Sequence, residues 1–485
     1  MRAEELASLT SGVLGRFWTI DAEQSEPFHD DAAVIGQLQL VAGVVQVKTQ
    51  LPAASSLADL HGVFTGLAGG VAPATRWLFG ITEIGEVLVP VVTGDRVNQQ
   101  LGGNRVSTHT YRGPSVAVLV GEDATGPRVT RLAVDLPFAR WAELDPLTKT
   151  GHFDSEQRWQ GLDITLRGTE TVDCGHVNDI QVSLRGTWSE TKTDQDHVTS
   201  VATGLQVITE SETPHEHDDH VEVVMGVQDL VSLAYDRFLP AQRAQVVFEG
   251  AGTDRGPTWF YHRSLVEEAV PTREEPADQQ SKSPMFKLND LGGAPAVARW
   301  VALNQQYPDA ANAIWVRYRT PTNPTRRIIE LGAAIEQYVA SVKGEIRAAG
   351  EGLSWPSKST TYEGALALHA GAEFESFVED AEAWGEVFHE AYVNEKHRSG
   401  PRRPAAELAR LSFSAQILLT AVLLNRAAAD QRPSEVLLAD HRIDRIGDAV
   451  REIVRKSDQF DRRHPHTPAA PSGETISEAT ADDGD

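Results

Sequence analysis

The hydrophobic pattern of this chain changes its dominant period between its first and second halves, and that change constrains the fold more than any single motif does. Up to about residue 266, apolar residues alternate with polar ones, as in half-buried strands. From Phe286 onward they recur every three to four residues, as on one face of a helix. Between the two lies Glu267 to Pro284, polar and Pro-bearing, which reads as a domain boundary. The expected class is therefore α+β. An antiparallel β-rich domain over 1–266, a sandwich or open barrel, is followed by a linker at 267–284, an all-α bundle over 285–457 and a disordered acidic tail over 458–485.

The β half is legible in its hairpins. Val34 to Leu51 alternates around Ala42 and Gly43, and Trp77 to Gly94 repeats the pattern around Ile84 and Gly85. One helix interrupts the strands, expected at 218–238 with Asp218 or Asp219 as its N-cap. In the second half, helices are expected at Pro295 to Leu303, Ile328 to Arg347 and Asp440 to Arg455. Phe374, Phe377, Val378, Ala381, Trp384, Phe388 and Tyr392 mark one apolar stripe, and Pro404 to Ala429 is apolar on most faces. That last helix must be covered, in a core or in an oligomer interface.

Composition narrows the function classes. One cysteine, Cys174, excludes an intramolecular disulfide and a Cys-rich zinc site. The opening residues lack a signal-peptide pattern, and no run approaches the roughly 18 apolar residues of a membrane span. A cytoplasmic protein with no membrane partner is expected. A net charge of −25 opposes extensive non-specific binding to a nucleic-acid backbone, but leaves room for a local basic patch. Arg398, Arg402 and Arg403 form such a patch beside His397 and Asn394.

Three other clusters attract chemical readings. His215 to His220 holds three imidazoles and three carboxylates, yet consecutive residues cannot all converge on one ion. It reads as a solvated helix entry, and no metal or other cofactor is expected. Cys174 and His176 stand two apart with no third partner, and Gly66 to Gly70 lacks the Lys-Ser/Thr of a phosphate loop.

The order of pieces resembles the ApeA-like bacterial defence proteins, which join a β-rich ApeA N-terminal domain to a helical HEPN domain. The resembling pieces are Gly15 to Trp18, Gly36 to Leu40, Leu78 to Gly80, Val87 to Val92, Leu136 to Trp141 and Leu230 to Ala234, then Met285 to Leu288, Ala298 to Trp300, Ile328 to Val339 with Glu336, and Asn394 to Leu424. Tyr235 and Asp236 stand where the family helix usually continues into a Gly. The resemblance implies metal-independent RNA cleavage in a homodimer, an RNA substrate and a phage-derived trigger. HEPN ribonucleases use an Arg-Asn-x3-His-type motif. His moves a proton at the 2′-hydroxyl or leaving oxygen, Arg offsets transition-state charge, and Asn orients the pair.

By this resemblance His397 and Asn394 are the catalytic candidates, with Arg398, Arg402 and Arg403 as phosphate-binding substitutes. Aligned on His397, the Arg position holds Tyr392; aligned on Asn394, it holds Val393 with a shortened spacer. The weakened motif leaves a second reading open. In that one, a non-catalytic binding or regulatory protein uses a degenerate HEPN domain for dimerisation or for holding RNA or protein.

Overall fold

The computed structural model describes residues 3–20, 33–52, 77–90, 93–94, 98–99, 106–118, 128–193, 198–249, 258–266, 283–319, 323–349, 361–398, 400 and 402–464. The Gly66 to Gly70 segment and residues 267–282 of the expected linker lie outside them, as do residues 465–485 of the expected tail. The chain forms two compact units: residues 1–322 with 419–437, and residues 323–418 with 438–485.

The first unit is built on one antiparallel sheet. Across it run β13 (Val172–Val177), β14 (Ile180–Thr193), β15 (Val198–His215), β10 (Val129–Pro137), β16 (Arg243–Phe248), β17 (Thr258–His262), β9 (Ser115–Val118), β5 (Gly85–Pro90), β4 (Trp77–Thr82), β1 (Val13–Ile20), β2 (Val34–Val41), β3 (Val44–Pro52), β8 (Val106–Gly113) and β6 (Thr93–Gly94). The short β7 (Asn98–Gln99) also pairs with β8. The expected hairpins are present, with Ala42 and Gly43 at positive φ in the tight β2–β3 turn. In the β4–β5 hairpin Thr82 pairs with Gly85, so the turn lies at Glu83 and Ile84, one residue earlier than expected.

From β9 to β8 the sheet curls. Only Pro114 separates β8 from β9, and strands far apart along the path share one core, with Phe17, Leu38, Val47, Leu78, Val87 and Val116 fully buried in it. The open-barrel expectation describes this part. Beyond β17 the sheet is instead covered by helices: α2 (His217–Ala234) packs on β10 and β15, and the helix Pro295–Gln306 packs on β13. The helix VEVVMGVQDLVSLA is apolar nearly all round and is accordingly buried on most faces.

Its N-cap is Glu216, not Asp218 or Asp219, which sit in the first turn where carboxylates oppose the helix dipole. Two short helices precede and follow, α1 (Ala3–Ser11) and α3 (Arg263–Val266). The pair β11 (Leu147–Phe153) and β12 (Trp159–Leu166) forms a separate hairpin, with Phe153, Trp159, Leu162 and Ile164 exposed on it.

Helical structure begins inside this unit. α4 (Pro295–Gln306) packs on α2: the indole of Trp300 donates to the Gly226 carbonyl at 3.2 Å, and Val301 fills the space a Cβ on Gly226 would take. α5 (Pro308–Arg319), which has no clear sequence signal, ends at Arg319, paired with Asp229 of α2 at 2.6 Å. The helical unit therefore begins later than the Pro-bearing segment suggests.

The second unit is helical: α6 (Pro324–Ala349), α7 (Tyr362–Ala370), α8 (Ala372–Val378), α9 (Ala381–His397), the first part of α10 (Ala405–Ala428), α12 (His441–Arg455) and α13 (Asp458–Arg463); α11 (Pro433–Ala439) lies mostly in the first unit. The acidic tail expected from residue 458 thus starts with a helical turn, capped by Ser457 onto the Phe460 N–H. The apolar stripe from Phe374 to Tyr392 is buried as expected, but it spans two helices. Glu379 takes φ 78° and Asp380 caps α9, accepting from the Ala383 N–H at 2.8 Å. Among the described residues α10 is the one helix long and apolar enough to cross a membrane, and 78% of its most apolar window is buried inside the protein, as in a core helix.

Candidate functional site at the end of α9

Two close approaches fix α9 in its unit. Gly385 meets Gly364 of α7 backbone to backbone, leaving no room for a Cβ, and Gly332 of α6 lies under the ring of Tyr392. On the α10 side, the indole N–H of Trp384 donates to Ser414 Oγ at 2.9 Å, both buried. The helix thus holds its C-terminal turn in a defined place.

That turn carries the sequence-predicted residues. His397 is the last helical residue and is exposed, and Arg398 takes the left-handed cap conformation, its N–H returning to the Asn394 carbonyl. Asn394 is half-buried. Its amide oxygen would lie 2.7 Å from a Cβ on Gly400, so the side chain lies flat against the turn that follows the helix. Arg402 is exposed, whereas Arg403 is half-buried and pairs with Glu390 at 3.3 Å and Glu407 at 3.5 Å. The structure therefore brings His397, Asn394, Arg398 and Arg402 to one end of α9. It ties Arg403 to carboxylates that would otherwise repel an anion.

A second polar group on α9 escaped the sequence reading. His389 Nδ1 donates to Glu363 Oε2 at 3.1 Å; Glu363 is fully buried, and its other oxygen has no hydrogen bond among the described residues. The bond to Glu363 holds the His389 imidazole above its usual range, with the Glu363 and Glu336 charges adding and burial opposing.

One turn on, the Tyr392 hydroxyl donates to Glu336 Oε2 at 3.1 Å and accepts from Lys396 Nζ at 2.6 Å, while the Lys396 ammonium also lies over the ring. His389, Tyr392 and Lys396 share one helix face by their three-four spacing, the signal that could have found them. Tyr392, standing where the resemblance calls for Arg, is thus a buried anchor whose hydroxyl serves Glu336 and Lys396.

The His215 to His220 run is broken up by the fold. His215 ends β15 and lies 3.7 Å from Asp219. His220 is fully buried between Thr209 Oγ1 at 2.9 Å and the Val129 carbonyl at 3.2 Å, and burial pushes it down to about 4. His217 and Asp218 turn toward His262 of β17. Cys174 is buried, its thiol pushed up to about 12 by that burial and by Asp173, which removes it as a nucleophile. Glu336, part of the resembling segment Ile328 to Val339, is partly exposed and hydrogen-bonded to Tyr392.

Taken together, the fold is α+β, an antiparallel β-rich region followed by a helical one. Residues 122–300 match the family model of ApeA N-terminal domain 1, which covers β10 to β17, α2 and the start of α4. This stretch of the chain is therefore ApeA-like. No curated protein and no solved structure matches it.

Proposed function

We propose that this is an anti-phage defence protein whose N-terminal region senses a trigger or partner. Its helical unit is then a HEPN-like, metal-independent ribonuclease of weakened motif, acting as a cytoplasmic homodimer. The observation that carries this reading is the end of α9, where His397, Arg398 and Arg402 are exposed beside Asn394 while Arg403 takes up Glu390 and Glu407. His397 would move the proton at the 2′-hydroxyl or leaving oxygen, and the two guanidiniums would hold the phosphate and offset its charge in the transition state. Asn394, braced by the Gly400 turn, would orient them. A second copy would close the exposed face. For the sensing part, support comes from the β11–β12 hairpin, whose exposed Phe153 and Trp159 offer an apolar contact surface.

The test is incubation of the purified protein with total RNA in EDTA. Cleavage is expected, and His397→Ala is expected to abolish it; cleavage unchanged in that variant overturns the assignment.

A second reading is favoured by Tyr392. Buried and bonded to Glu336 and Lys396, it leaves no guanidinium in the place the motif reserves for one. In this reading the helical unit dimerises or holds RNA or protein without cutting. RNA retained by the wild-type protein but left intact in the same assay selects it.

A further inference from the structure

In the first unit, three side chains from two elements converge on one point. His217, the first residue of α2, directs Nε2 to Asp218 Oδ1 at 3.0 Å, and His262, the last residue of β17, directs Nε2 to the same oxygen at 3.8 Å. Both imidazoles are only 7% exposed, whereas the Asp218 side chain is 66% exposed, so the point of convergence opens to solvent on the carboxylate side. The three donor atoms all lie within 4.8 Å of one another. Ligands at about 2.0–2.1 Å from a tetrahedral ion stand about 3.3 Å apart, and the two separations from the Asp218 oxygen, 3.0 and 3.8 Å, bracket that value.

A nucleophilic relay does not account for the cluster. Ser115 Oγ lies 3.3 Å from His217 Nε2, the same nitrogen that meets Asp218, and Nδ1 of His217 is buried with no hydrogen bond among the described residues. A serine–histidine–acid relay needs the hydroxyl and the acid on opposite nitrogens. Here they crowd one.

We propose that His217 Nε2, His262 Nε2 and the Asp218 carboxylate form a site for a divalent transition-metal ion, with a fourth position open to water. Two imidazoles and one carboxylate suit zinc first, and an open position is what distinguishes a reactive zinc site from a purely structural one. The six-residue cluster of the sequence could not converge on an ion. The fold selects its adjacent His217–Asp218 pair and completes the set with a histidine far along the chain. Binding through His262 Nε2 would move the ring proton to Nδ1 and give up the 3.3 Å bond from the Ser264 N–H, so an affinity below that of closed structural zinc sites is expected. This inference is independent of the RNA reading, whose assay runs in EDTA.

The test is titration of the metal-stripped full chain with Co2+, followed by its visible tetrahedral absorption and by competition with Zn2+. One equivalent is expected to bind, with Asp218→Asn weakening it by at least about tenfold and His262→Gln removing the band. His215→Gln, on the neighbouring imidazole that the fold turns away, should leave binding unchanged. Asp218 is exposed, so its variant keeps the test decisive even if His262→Gln fails to fold. No saturable Co2+ binding, or binding unchanged in Asp218→Asn, overturns the proposal.

Discussion

Gly332 of α6 lies directly beneath the ring of Tyr392 on α9, so close that a Cβ at 332 would come within 2.5 Å of the ring. Two helices approach here because one of them carries no side chain, and the approach brings Glu336, one turn further along α6, to the Tyr392 hydroxyl. Glycine is normally poorer than alanine in a helix by about 1 kcal/mol. At this position the order reverses. Gly332→Ala should destabilise the protein by about 1–3 kcal/mol through overpacking, read as a lower urea midpoint at unchanged slope. A variant as stable as the wild type would show that the two helices can part at no cost.

The His389–Glu363 pair predicts a pH dependence of definite sign. The folded pKa of His389 is raised above the unfolded value of 6.5, so the pair stabilises the fold fully below that value and the contribution is lost as pH rises through the folded pKa. NMR titration of the His389 ring should place its midpoint above 6.5, and Glu363→Gln should bring it down. A midpoint at or below 6.5 in the wild type contradicts the pairing.

Asp380 joins three contacts: the N-cap of α9, Arg463 at 3.0 Å and His464 at 2.9 Å. Burial opposes ionisation, but the Ala383 N–H, Arg463 and His464 outweigh it and hold the carboxyl below its usual range. The stability it brings is therefore present above pH 3.8 and lost as pH falls through the lower folded pKa. Asp380→Ala should cost about 1–2 kcal/mol at pH 7 and flatten the acid limb of the stability curve. An acid limb as steep as that of the wild type would assign the effect to other carboxylates.

The β11–β12 hairpin should be separable from folding. Phe153 and Trp159 touch each other edge to face at 5.3 Å and are 57% and 58% exposed. Phe153→Ser with Trp159→Ser should leave the unfolding free energy within about 0.5 kcal/mol per site while lowering protection of phage-challenged cells. Full protection in the double variant would remove this hairpin as the proposed sensing surface.

Much of this was readable from residue order. Alternation located the β2–β3 and β4–β5 hairpins, and the three-four stripe correctly listed Phe374, Trp384, Phe388 and Tyr392 as core. What the pattern could not show is where a stripe changes helices. Phe377 and Val378 continue smoothly into Ala381, and only the positive φ of Glu379 interrupts them. Glycine contacts were equally silent, because Gly332, Gly364 and Gly385 contribute nothing to a hydrophobic period. His397 and Asn394 were singled out by the family motif, whereas His389 was not, because its partner Glu363 comes from a helix whose small, apolar sequence carries little amphipathic signal. The His217–Asp218–His262 convergence joins residues distant in sequence, and a local cluster obscured it.

The helix Ala405–Ala428 has a practical consequence for anyone working with the chain in pieces. Its first turns are counted with one unit and its last turns with the other, and residues 419–437 return to the unit that otherwise ends at 322. Neither unit is a contiguous stretch. A single cut at residue 322 yields one fragment missing part of its own unit and another carrying a remnant of its neighbour's, so the protein can be dissected by point substitution but not by truncation.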